Sequence, residues 1–144
     1  MKIIPRIAIL CLLLVCFHTG KAQHAPRPNL FNDYPSTLNC PVSELAKIFT
    51  LVTGQMVQLT FSDKNFTGII ATTKHTYTNL QNVVVKLANL QGAIFHVSKI
   101  INPDNTTRYT GRIINEKFAD GYELKNNSGN YYLEKIKTDD VIQD

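Results

Sequence analysis

Two stretches of the chain carry the same order of patterns: apolar residues at helical spacing, a glycine, then apolar residues at alternate positions. The first is "VSELAKIFTLVTGQMVQLTF", residues 42–61. Val42, Leu45, Ile48, Phe49 and Val52 fall on one helical face, Gly54 follows, and Val57, Leu59 and Phe61 alternate. The second is "TNLQNVVVKLANLQGAIFHVS", residues 78–98. Leu80, Val83, Val84, Leu87 and Leu90 form its apolar face, Gly92 follows, and Phe95 and Val97 alternate opposite His96. At an offset of 38 every core position stays apolar and the two glycines coincide. Gly54 and Gly92 are therefore expected as helix C-cap residues, where positive φ is common. Pro41 suits the start of the first helix, and Thr78 with Gln81 has capping-box spacing for the second. Two such units, each unable to bury its apolar face alone, can share one sheet. Any two amphipathic α-β segments would also match at this level, so a true repeat and a coincidence both remain open.

Other segments complete the expectation. "SDKN" is a turn, and "FTGIIATTKHTYT" is β-branched enough for a strand, broken near Lys74. "TRYTGRIIN" alternates around Tyr109, Gly111 and Ile113. "GYELKNNSGNYYLEKI" is a hairpin turning at "NNSGN". The expected fold is α+β and βαββαβ-like. Two helices pack on one face of a small mixed sheet, and a C-terminal β-hairpin is added, all within residues 38–136. Residues 23–37 form an extended, proline-rich lead-in from which Leu30, Phe31 and Tyr34 can dock. Residues 137–144 form a frayed polar tail.

The N-terminus indicates export. "MKIIPRIAILCLLLVCFHTGKAQ" places Lys2 and Arg6 before an apolar run from Ile7 to Phe17, then the small residues Gly20 and Ala22. The run has the length of a signal-peptide core and is too short to span a bilayer. Cleavage after Ala22 is expected, leaving a periplasmic or extracellular chain with no transmembrane span. Cys16 follows Val15, whereas a lipidated cysteine normally follows a small residue. Lys2, Arg6 and Lys21 leave with the signal and no acid does. The 15 basic residues fall to 12 against 11 acidic ones, a net charge of +1. The remaining cations are scattered, which excludes the clustered basic face of a nucleic-acid binder. Cys40 becomes the one remaining cysteine, either buried or available for intermolecular pairing.

No catalytic or metal site emerges, and no cofactor is expected. His75 and His96 lie on separate strands without the further ligands a zinc site needs. His24 sits in the lead-in, and Asp139 and Asp140 sit in the tail. Cys40 has no nucleophile signature around it. The sequons at Asn65, Asn105 and Asn126 matter only in a glycosylating secretory pathway. Tyr109, Tyr122, Tyr131 and Tyr132 gather in the C-terminal strands. They form either a contact patch or part of the core and its rim.

The segments "PVSELAKIFTLVTGQMVQLTF" and "FTGIIATTKHTYTNLQNVVVKLANLQGAIFHVS" together resemble the secretin and TonB short N-terminal domain. They are also similar to the C-terminal domain of FecR-type anti-sigma regulators. The resemblance covers residues 38–99, about half of the mature chain; residues 100–136 are a β extension without a counterpart. It implies a small periplasmic docking module with an envelope protein as partner, linked to TonB-dependent transport or its signalling. The ending "KAQ" of the signal looks like those of Bacteroidetes. The overall expectation is a non-enzymatic interaction module, with a small extracellular ligand-binding or adhesion protein as the alternative.

Overall fold

A computed structural model describes residues 26–138. The expected signal peptide at 1–22, the start of the lead-in with His24, and tail residues 139–144 lie outside the described residues. The chain forms β1 (Thr37–Asn39), α1 (Val42–Ile48), β2 (Met56–Phe61), β3 (Lys64–Tyr77) and β4 (Leu80–Leu87). It continues with β5 (Ala93–Ile101), β6 (Thr107–Ile114), β7 (Asp120–Asn127) and β8 (Asn130–Lys137). All eight strands lie in one sheet, ordered β1-β8-β7-β6-β5-β4-β3-β2, with every neighbouring pair antiparallel.

The α+β expectation is thus corrected: the described residues form a curled antiparallel sheet, a half-barrel, with one short α-helix among them. The second expected helix is β4. Val83, Val85 and Leu87 point into the interior with a period of two. Three consecutive β-branched valines favour that extended backbone. The offset-38 superposition therefore joins a helix to a strand, and the repeat fails with it. Gly54 and Gly92 do have positive φ, +90° and +77°. Neither caps a helix: α1 ends at Ile48, and Gly92 follows a single 3₁₀ turn over Ala88–Leu90. Residues 100–136 extend the same sheet.

The parts read from alternation hold. β2 buries Val57, Leu59 and Phe61 and exposes the residues between them. β7 and β8 pair from Asp120↔Lys137 to Asn127↔Asn130 around a two-residue turn. Ser128 and Gly129, with φ of 52° and 90°, give that turn its left-handed backbone.

A strongly curled sheet must fill its concave side. The chain does so with α1 and the lead-in. α1 connects β1, at one edge of the sheet, to β2 at the other. It buries Leu45 and Ile48, while Val42 and Val52, both expected on its apolar face, are exposed. Glu44 turns back from α1 to accept the N–H of Thr60 at 2.8 Å, covering part of the open edge of β2. The two edges meet at one end, where Ser62 N–H donates to Asn39 O at 2.9 Å and Asn39 N–H to Ser62 Oγ at 2.8 Å.

The lead-in docks firmly. Phe31 is fully buried, edge-on to Tyr122 at 4.9 Å and to Tyr34 at 5.5 Å. Tyr34 reaches Phe66, which touches Phe61, which touches Phe95. This chain of rings ties β7 through the lead-in to β3, β2 and β5 across the interior. The polar side of the dock is equally specific. Buried Asp120 accepts Leu30 N–H at 2.6 Å and Phe31 N–H at 3.0 Å. Lys135 Nζ donates to Phe31 O and Tyr34 O, both at 2.7 Å. Tyr122 donates its hydroxyl proton to Pro35 O.

A candidate binding cleft between β6 and β7

The antiparallel ladder is continuous between β5 and β6, with eight register pairs, and between β7 and β8, also with eight. Between β6 and β7 it holds only Arg112↔Glu123 and Ile113↔Tyr122. Continued, the same register would join Gly111 to Leu124 and Tyr109 to Asn126; it stops before both. Tyr109 N–H donates instead to the hydroxyl of Tyr131, at 3.1 Å, from β8. Backbone groups alternate in direction along a strand. Tyr109 therefore places Gly111 on the same side, facing the gap, and Tyr122 does the same for Leu124 and Asn126. The strands part toward the turn ends of their outer hairpins.

Tyr131 closes the gap from inside. Its ring lies edge-on to Tyr109 at 5.6 Å, and Tyr109 stacks at a tilt on Phe49, just past α1, at 5.7 Å. The outer side stays open as a cleft of about 700 Å³, within the range of ligand sites. Arg108, Arg112, Lys125 and His96 surround it, with Ser98, Thr110 and Asn126 as neutral hydrogen-bonding groups.

Glu123 is the one acid at its wall. It accepts from Arg112 Nη2 at 3.3 Å and from Lys125. The Lys125 hydrogen bond, with help from Arg112, holds the Glu123 carboxyl below its ordinary value, and the same hydrogen bond to Glu123 holds the Lys125 ammonium above its own. Among the described residues Arg108 has no ion pair. The wall thus carries three cations against one carboxylate.

Three of the four tyrosines singled out from the sequence are interior. Tyr122 is fully buried, and burial with Asp120 nearby pushes its phenol up to about 12. Tyr109 lines the cleft from inside, and Tyr131 packs behind it. Tyr132, in register with Lys125, is half-buried on the outer face beside it. The charged residues of the wall carry little distinguishing sequence signal, because alternating charges on strands look like an ordinary solvated face. The one available signal was the spacing of Arg108 and Arg112 opposite Tyr109.

His75 and His96 are not brought together. His75 is in register with Gln81 and His96 with Val84, which places them on opposite faces. Among the described residues no group of three or more His, Cys, Asp and Glu side chains is placed to hold a metal ion. Cys40 is 1% exposed, and burial, with the Glu44 carboxylate adding, drives its thiol well above the usual range. Among the described residues no helix is long and apolar enough to cross a membrane. No family model, curated protein or solved structure matches this chain.

Proposed function

We propose that this protein is an exported, non-catalytic binding protein that docks an envelope partner in the cleft between β6 and β7. One observation carries the reading: an internal ladder stops after two pairs although both flanking ladders run to their ends. Where the ladder stops, main-chain groups of β6 and β7 face an open cleft instead of each other, and strand edges left free in this way are templates for pairing with another chain. The inert environment of Cys40 supports a role without bond chemistry. The basic flank, short apolar core and small-residue exit of residues 1–22 support export.

The test is site-specific photocrosslinking in the exporting cell. A photoreactive residue at Thr110, in the cleft, should trap a defined envelope protein. One at Asp63, in the β2–β3 turn, should not. Equal trapping from both positions, or trapping from Asp63 alone, would remove the cleft from the account.

A further inference from the structure

We infer that the cleft accepts an extended peptide as an inserted strand, with acidic side chains at alternate positions. This rests on the binding reading above and names the class of ligand. The main-chain argument comes first. Gly111 on β6 and Leu124 and Asn126 on β7 face the gap, and no ladder joins them. Two facing strand edges offer a peptide main chain the alternating donors and acceptors of a sheet. The stretch from Arg108 to Gly111, which has no ladder partner on β7, spans about 10 Å at sheet rise, enough for about three or four residues.

The side-chain argument fixes the chemistry. A strand lying there would point alternate side chains outward, between Arg108, Arg112, Lys125 and His96. Glu123 already engages both Arg112 and Lys125, and Arg108 has no ion pair among the described residues. The wall therefore carries excess positive charge and complements carboxylates. The intervening side chains would point inward onto Leu124 and the Tyr109 ring, which is backed by Tyr131. That floor suits a β-branched aliphatic residue. The expected mature chain is nearly neutral, which favours a short acidic strand over a long polyanion.

The probe is a fluorescein-labelled hexapeptide alternating Glu and Val, measured by fluorescence anisotropy against the full mature chain, with a Lys–Val hexapeptide as control. Saturable binding of the Glu–Val peptide alone is expected. R108E should weaken it about fivefold, the loss of one exposed ion pair. K74E, on the exposed β3 segment, should leave it unchanged. Amide exchange supplies the readout for insertion: Gly111, Leu124 and Asn126 should slow at least about tenfold when peptide is bound. Equal binding of the Lys–Val peptide, or Glu–Val binding without slowing at those amides, would overturn the proposal. Trapping of a partner from Thr110 together with no Glu–Val binding would reject the acidic strand and leave the cleft reading intact. Failure of both experiments would reject both.

Discussion

Asp120→Ala should cost about 3 kcal/mol, and the reason lies in how the lead-in is held. The two Asp120 carboxylate oxygens accept the consecutive N–H groups of Leu30 and Phe31 at 2.6 and 3.0 Å, and the carboxylate is itself buried. Hydrogen bonds to a charged acceptor are worth about 1.5–3 kcal/mol each. Loosening of residues 28–35 lets water reach the freed N–H groups and recovers part of that loss. The Phe31 ring is fully buried against Tyr122 and Tyr34, and Phe31→Ala should cost about 3–5 kcal/mol. The two changes undo one dock, so the double variant should lose at least about 1 kcal/mol less than the sum of the singles. Urea unfolding followed by circular dichroism gives the free energies, and amide exchange at Leu30, Phe31 and Tyr34 reports the dock itself. A loss below about 1 kcal/mol for Asp120→Ala, or strict additivity with Phe31→Ala, would refute the argument that this clamp seats the lead-in.

Gly68→Ala should destabilise by about 1–3 kcal/mol, because an added Cβ would lie 2.5 Å from the backbone oxygen of Lys86 on the neighbouring strand; thermal unfolding checks it. Cys40 should react with a thiol reagent only at the rate of unfolding, and Cys40→Ser should leave partner binding unchanged, as measured by stopped-flow labelling and anisotropy. The Glu123 carboxyl is held below its ordinary value. The stabilisation from its pairing with Lys125 and Arg112 is therefore complete above the unfolded-state value. It is lost as pH falls through the lower folded-state value. Glu123→Gln should remove this acid-side component, about 0.5 kcal/mol for a partly exposed network, seen as a smaller drop in stability on acidification.

The β-strands were legible where alternation met a turn signal. "GYELKNNSGNYYLEKI" states its hairpin outright, since Tyr122 and Leu124 alternate with Glu123 and Lys125 around Ser128-Gly129. β4 departs from its helical expectation for a physical reason. Leu80, Val83, Val84, Leu87 and Leu90 satisfy the helical period, while Val83, Val85 and Leu87 satisfy the strand period equally well. The arbiter was the β-branched run of valines, whose stiff side chains prefer the pleat. Thr78 and Gln81 had capping-box spacing, yet Thr78 sits in the turn between β3 and β4, and Gln81 pairs with Lys99. The cleft was illegible for a different reason. Arg108, Thr110 and Arg112 are an unremarkable polar face until the ladder beside them stops, and that stop depends on strand packing that no local pattern encodes. Gly111 was the nearest clue: an added Cβ there would meet His96 O at 2.5 Å, a mark of close strand approach on one side of β6.

Residue-resolved amide exchange on the free, mature protein tests the central claim most directly. Amides in the continuous ladders, such as those of Val85 and Phe95, should exchange at the rate of global unfolding. Gly111, Leu124 and Asn126, although inside the sheet by sequence order, should exchange orders of magnitude faster. Uniform protection across β6 and β7 would mean that the ladder closes, and the binding cleft would go with it.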